Sequence, residues 1–290
     1  MQLGGAPLNF AAHLGRLGHE AVLASAVGTD ELGRTALKRI EGLGLSRRLI
    51  QSALEFPTGI ASVRLRPHGQ TAFQIQRPAA YDAIRLNEEQ MTWLSAWAPE
   101  WLYHGTLFAM TDPGANTLRD LIRATAGAIR FYDVNLRPDW YSPALVEEFL
   151  RGAGVVKLNE EEMIEVARIA NLPAADRESF CVEGARRYGW RAVCVTLGAR
   201  GCALWAEGEY AEQEGWPVEI ADPVGAGDGF SAALLHGLSL GWSVPRMARF
   251  ANRVGALIAS RPGGIPDWDL QEIAAEVAEP SGVRGTEPVA

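Results

Sequence analysis

Residues 222–230 read Asp222-Pro223-Val224-Gly225-Ala226-Gly227-Asp228-Gly229-Phe230 and lead into an apolar stretch, Ser231 to Leu240. A Gly-x-Gly turn lets the backbone approach a ligand closely, because glycine carries no Cβ. The helix that the apolar stretch predicts begins there, and a helix start offers unsatisfied N–H groups and a partial positive charge to an anion. Asp228 falls at that start, where it would repel the anion unless its carboxylate has a task of its own. Accepting the proton of a hydroxyl that attacks a phosphorus atom is such a task, since phosphoryl transfer needs a positioned nucleophile, charge stabilisation and a base. A plain N-cap is the alternative, and the motif by itself leaves both open.

Other loops narrow the chemistry. Gly28-Thr29-Asp30-Glu31-Leu32-Gly33-Arg34-Thr35 comes close to the G-x-x-x-x-G-K-[ST] phosphate loop, but Arg34 stands where the lysine belongs. A planar guanidinium is a poor replacement for that compact ammonium. Lysine is scarce throughout, at Lys38 and Lys157 only. No G-x-G-x-x-G stands at a first strand–helix junction, which argues against a dinucleotide-dependent oxidoreductase. Cys181, Cys194 and Cys202 form no C-x-x-C pair, and His13, His19, His68, His104 and His236 lack ligand spacing. Neither a structural metal nor a disulfide framework is expected.

The elements that must position these residues follow from periodicity. Helices are predicted over Leu8–Leu17, from the Asp30 cap to Leu43, and over Asn87–Ala98, Asn116–Thr125, Gly227–Leu240 and Val244–Ser260. Another helix follows Asn159-Glu160-Glu161-Glu162. Strands are predicted at Ala21–Val27, Trp101–Tyr103, Ile129–Val134, Val155–Leu158, Arg191–Thr196 and Cys202–Trp205. Strands alternating with helices predict an α/β chain with a mainly parallel sheet. Between Ile60 and Gln76 the period changes to two, around the turn-like Pro67-His68-Gly69-Gln70, which predicts an inserted antiparallel hairpin.

Composition limits the partners. The 290 residues carry 27 basic against 35 acidic side chains, a formal charge of −8, with no run of Lys or Arg. That gives no electrostatic footprint for nucleic acid or an anionic membrane. No apolar run approaches the roughly 18 residues of a membrane span, and the start has no secretory pattern. A cytoplasmic location is expected.

The fragments Gly4-Gly5-Ala6-Pro7-Leu8-Asn9 followed by LGRLG, VGTDELG at 27–33, Asn159 with Glu162 as N-x-x-E, VTLG at 195–198, DPVGAGDGF at 222–230 and Phe250-Ala251-Asn252 occur in one order. In that order and spacing the chain resembles the PfkB (ribokinase-like) family of sugar kinases over essentially its whole length. The resemblance implies an α/β, ribokinase-like three-layer sandwich with a mainly parallel sheet and a small β lid, in one kinase domain over 1–290 with the lid hairpin at about 58–78. It implies Asp228 as catalytic base and the amides of Gly225, Ala226 and Gly227 as an anion hole. By the same resemblance Asn159 and Glu162 organise Mg²⁺ and the phosphates, the glutamate through water. Thr196, Gly198, Gly201 and Asn252 line the ATP site, and Gly4, Gly5 and Asn9 contact the sugar. Asp222 and the Val224 carbonyl match a monovalent-cation site, K⁺ in many relatives. The hairpin matches a lid that covers the sugar and through which many relatives dimerise. In YDVNLRPDW, Asp133 and Asn135 read as strand-end residues, while Arg137 is expected to reach substrate or phosphate.

Family members usually begin with a strand and an acidic sugar ligand ahead of the Gly-Gly signature. Here Gly4-Gly5 follow Met1 almost at once, so the expectation is either a misassigned start or a chain without that strand and its sugar ligand. The expected reaction is ATP-dependent phosphorylation of a small sugar, with GGAPLN and DVNLR resembling fructokinases. A 2-keto-3-deoxygluconate kinase is the alternative, for which Arg77 or Arg137 would meet the substrate carboxylate. A non-catalytic sugar or nucleotide binder is the alternative of another class.

Overall fold

The computed structural model describes residues 2–65, 71–137 and 140–273. Helix α1 (Ala6–Arg16) is followed by β1 (Ser25–Gly28), α2 (Glu31–Gly42) and β2 (Ile50–Ala53). The two strands pair in parallel as a small sheet. Next comes an antiparallel hairpin, β3 (Ala61–Leu65) and β4 (Thr71–Ile75), with Val63 opposite Phe73. The expected turn at Pro67-His68-Gly69-Gln70 lies outside the described residues.

The larger body runs α3 (Glu88–Trp97), β5 (Trp101–His104), α4 (Asp112–Ala124), β6 (Ile129–Asp133), α5 (Pro143–Gly152), β7 (Val155–Asn159), α6 (Glu160–Ala170), α7 (Arg177–Tyr188), β8 (Ala192–Thr196), β9 (Gly201–Ala206), β10 (Glu209–Glu214), α8 (Ala226–Ser239) and α9 (Val244–Ala259). Its six-stranded sheet has the order β10-β9-β8-β7-β6-β5. Strands β5 to β8 are parallel, and β9 and β10 add antiparallel strands beside β8.

Strand alternation sends successive side chains to opposite faces. Phe131, Val155, Cys194 and Leu204 pack with Phe10 and Leu14 of α1, Leu234 of α8 and Val254 of α9. Their neighbours Tyr132, Val156, Val193 and Ala203 pack instead with Val146 and Phe149 of α5, Val166 of α6 and Phe180 of α7. Helices therefore cover both faces of the sheet, in three layers. A buried parallel sheet needs this, since both of its faces are apolar.

The structure corrects several boundaries. The strand predicted at Ala21–Val27 is only Ser25–Gly28, preceded by an isolated bridge between Val22 and Ser46. The helix predicted from Asn116 begins at Asp112, because Thr111 caps it through the Gly114 amide. β2, β10, α5 and α7 have no counterpart in the sequence-based expectation.

Candidate active site

Parallel strands leave their carboxyl ends open for ligands at the edge of the sheet. Here Asp133, Asn159 and Thr196 are the last residues of β6, β7 and β8. The start of α8 belongs to the same cluster, because Asp133 accepts a hydrogen bond from Ser231 of α8, Oγ to Oδ2 at 2.9 Å.

That helix start is bare. The N-cap is Gly225, at φ 83°, with no side-chain cap. A Cβ on Gly225 would lie 2.4 Å from the Gly264 carbonyl oxygen and 2.5 Å from its Cα, so only glycine fits. Asp228 is the third residue of α8, which removes the N-cap reading of this residue. Asn9, on the buried face of α1, donates from Nδ2 to Asp228 Oδ2 at 2.7 Å. α1 likewise starts at a glycine N-cap, Gly5 at φ 128°, without a side-chain cap. Gly4 lies beside Asn9, 3.6 Å from a would-be Cβ to Oδ1. The Asn9 Oδ1 atom is buried and without a protein partner.

The electrostatics suit a base. Burial pushes the Asp228 carboxyl up to about 7, the Asn9 bond opposes that, the Asp133 charge adds to it, and Lys157 and Arg137 oppose it. A carboxylate poised there is protonated or ionised by small changes near neutrality, as a general base requires.

Below α8, Lys157 of β7 donates from Nζ to Asp133 Oδ1 at 3.1 Å, both side chains being buried. Tyr103 Oη donates to Asp133 Oδ2 at 3.0 Å. Burial pulls the Lys157 ammonium down, but Asp133, Glu162 and Asp228 outweigh it and raise it.

At α6, Asn159 Oδ1 accepts from the Glu162 amide at 2.8 Å and Glu162 Oε2 accepts from the Asn159 amide at 2.9 Å, a complete capping box. Glu162 Oε1 accepts from the Leu136 amide at 2.8 Å, so the same side chain straps the 134–137 loop to α6. Glu162 is buried, not the solvated acid that its first-turn position would suggest. Burial raises its carboxyl, against the lowering effect of Lys157.

Thr196 is half-buried, donating to the Leu158 carbonyl at 3.3 Å. Gly198, at φ 61°, opens the turn to β9, and a Cβ on Gly201 would meet the Gln213 carbonyl at 1.9 Å. Asn252 turns inward and donates to Cys202 Sγ at 3.3 Å. Asp222 binds the Val224 amide through Oδ1 and the Gly263 amide through Oδ2, each at 3.0 Å, which ties the segment before α8 to the loop after α9.

Arg77 is placed differently from the expectation. Its guanidinium is buried in an ion pair with Asp82, donates to the Leu107 carbonyl at 3.0 Å and lies 4.9 Å from the Trp140 ring centre. It braces the return of the hairpin into the body. Arg137 lies near enough to Asp228 to favour its ionised form.

Among the described residues no group of three or more His, Cys, Asp or Glu side chains is arranged to hold a metal ion. Mg²⁺ bound with phosphates and water in most positions does not require such a group. Each Glu162 oxygen accepts one amide and keeps a lone pair for a metal-bound water.

The profile of the pfkB family of carbohydrate kinases matches residues 1–270. The chain belongs to that family. As a pfkB carbohydrate kinase it is a phosphotransferase acting on a sugar hydroxyl. It is 30% identical to the fructokinase of Escherichia coli over 277 residues, which is 90% of this chain and 87% of that protein. The structure of a sugar kinase of Pyrococcus horikoshii in complex with ATP matches with a TM-score of 0.74 at 25% identity, covering 90% of this chain and 84% of that one. The 2-dehydro-3-deoxygluconokinase of Thermotoga maritima shares the fold at a TM-score of 0.83 and 20% identity, over 95% of this chain and 90% of that one. The three-layer architecture is thus the ribokinase-like one. No helix among the described residues is long and apolar enough to cross a membrane.

In the sequence of this pfkB kinase Asp133 reads as a strand end and Lys157 only as a rare residue type, and nothing local marks Tyr103 or Ser231. One signal was available: period two places Asp133 and Lys157 on the face of the sheet that carries Phe131 and Val155, toward α8.

Proposed function

We propose that this pfkB kinase transfers the γ-phosphoryl group of ATP to a hydroxyl of a small sugar, with Asp228 as the base, and that fructose is the first acceptor to consider. The observation that carries the reading is the Asp228 carboxylate at an uncapped glycine helix start, held by Asn9 at 2.7 Å and pushed up to about 7. The fructokinase similarity to the E. coli protein supports the acceptor class.

Asp228 takes the proton of the attacking hydroxyl, and Asn9 aims the carboxylate oxygen that receives it. The backbone amides of Gly225, Ala226 and Gly227 face the phosphoryl group as it gains charge, at a helix start without a side-chain cap. Gly4, Gly5 and the Asn9 amide oxygen line the sugar side, and Thr196, Gly198, Gly201 and Asn252 the nucleotide side. Mg²⁺, when bound, neutralises the β- and γ-phosphate charge; Asn159 and Glu162 would orient its water shell. Asp222 and the Val224 carbonyl are the candidates for K⁺. The hairpin β3–β4 acts as a lid that excludes water from the transfer.

Arg137 supports a second acceptor, 2-keto-3-deoxygluconate, because a guanidinium near Asp228 could hold its carboxylate. ADP release from Mg-ATP and K⁺ against fructose, 2-keto-3-deoxygluconate, ribose and adenosine tests the reading. Turnover with one sugar, lost by a factor of about 10² or more in Asp228→Asn, is the expected result. Sugar or ATP binding with no turnover, equal in wild type and Asp228→Asn, would make the protein a binder instead.

A further inference from the structure

The Asp133–Lys157 pair sits where a sheet-on-helix core would ordinarily be apolar. Asp133 is 1% exposed and Lys157 8% exposed, and around them Phe131, Val155 and Phe230 form the core. Replacing a buried ion pair by apolar side chains is commonly neutral or stabilising, so such a pair is poor evidence for a role in stability. Its surroundings are organised around α8. Asp133 faces three donors: Lys157 Nζ at 3.1 Å, Tyr103 Oη at 3.0 Å and Ser231 Oγ at 2.9 Å. The Ser231 hydroxyl is also 2.9 Å from the Gly227 carbonyl oxygen, in the first turn of α8. A Cβ added to Gly227 would come within 3.4 Å of Lys157 Nζ, so the ammonium lies directly against that turn. One cation therefore stands among three carboxylates, Asp133, Glu162 and Asp228.

The residue type fits the position. Every basic residue other than Lys38 and Lys157 is an arginine. A compact ammonium fits beneath a helix turn, whereas a planar guanidinium with its wider fork needs more room.

Resting on the kinase reading above, we propose that Lys157, held by Asp133, is a positioning residue for phosphoryl transfer. Its ammonium adds a full charge behind the α8 amides that receive the transferred group, and it touches neither the sugar nor ATP. The charge matters most when negative charge builds on the phosphoryl oxygens, so it acts on the transition state more than on ground-state nucleotide binding.

The test compares wild type with Lys157→Met, Lys157→Arg and Asp133→Asn, each first shown to be folded by circular dichroism and thermal melting. Two quantities are read: kcat and the KM for ATP with the best acceptor, and calorimetric affinity for ADP with and without aluminium fluoride, a stand-in for the transferring phosphoryl group. Lys157→Met is expected to lower kcat by about 10²-fold with a KM for ATP within about threefold. The aluminium fluoride complex should weaken by at least tenfold while ADP alone changes little. Asp133→Asn should move in the same direction, and Lys157→Arg should rescue only part of the loss. Unchanged kcat and unchanged aluminium fluoride affinity in folded Lys157→Met, or equal weakening of ADP and its fluoride complex, would overturn the proposal. Wild-type protein that binds no ADP would remove the kinase reading and the proposal with it, a result separable from either of those.

Discussion

Of the helix starts that border the site, those of α6 and α8 are finished in opposite ways. At α6, Asn159 and Glu162 satisfy each other's amides in a closed box. At α8 the N-cap is a left-handed glycine without a side chain to offer. α2, α3, α4, α5 and α7 are also capped by side chains, those of Asp30, Asn87, Thr111, Ser142 and Asp176. Relative to a side-chain cap, a glycine N-cap costs only about a few tenths of a kcal/mol, so α8 gives up little stability by leaving its start open. On the function proposed above, the difference separates roles: the capped start of α6 has its donors committed to the fold, while the uncapped start of α8, where the Ala226 amide makes only a long bond to the Pro223 carbonyl at 3.4 Å, is left for a ligand. α6 then serves the chemistry at one remove, through the loop that Glu162 holds.

The sharpest way to break this contrast is to put a side chain at the open start. Gly225→Ala should lower kcat by about 10²- to 10³-fold, as loss of an oxyanion donor does, because the added Cβ collides with Gly264 backbone atoms at 2.4–2.8 Å and alanine is strained at φ 83°. Steady-state kinetics on protein with a wild-type circular dichroism spectrum measures it. Activity within a few-fold of wild type would mean that the bare start receives no phosphoryl group. A smaller effect is expected at the closed start. Glu162→Gln keeps a box of the kind that Asn87 and Gln90 form at α3, but leaves one of two buried amides without its acceptor. Urea unfolding should show a loss of about 1–3 kcal/mol, and the Mg²⁺ needed for half-maximal rate should rise by about tenfold. A rate loss that saturating Mg²⁺ does not restore would give α6 a direct part in the chemistry.

Sequence reasoning followed this division unevenly. The α8 start was legible because Gly-x-Gly followed by an aspartate is unusual for an ordinary helix start. The sheet was legible where strands are buried on both faces, as with Val155–Leu158 and Arg191–Thr196. β10 escaped because Glu209–Glu214 is a polar edge strand whose exposed residues carry no apolar alternation. α7 escaped because charged residues crowd its exposed side, although Asp176 ahead of it is a cap signal. The Asn9–Asp228 bond joins residues 219 positions apart, and nothing local announces it. Arg77 was misplaced for a similar reason: its partner Asp82 is close in sequence, but only the folded chain shows that the pair is buried.

The Asp228 carboxyl also carries a stability consequence. It is raised from 3.8 to about 7, chiefly by burial. The folded protein therefore prefers the protonated acid. That contribution is fully present below the unfolded value, and it is lost as pH rises through about 7, because ionising the buried group then opposes folding. Asp228→Asn keeps an acceptor for the Asn9 amide and removes the titration. Thermal melting of the two proteins should show a gap in favour of the variant that widens between pH 5 and pH 8. For a chain of this size about 1 kcal/mol corresponds to roughly 2–4 °C, and partial exposure of Asp228 keeps the expectation at that level. A gap that is the same at both pH values would mean that the carboxylate is as easily ionised as one in water. The bare α8 start would then hold an ordinary acid, and its claim to house the base would rest on kinetics alone.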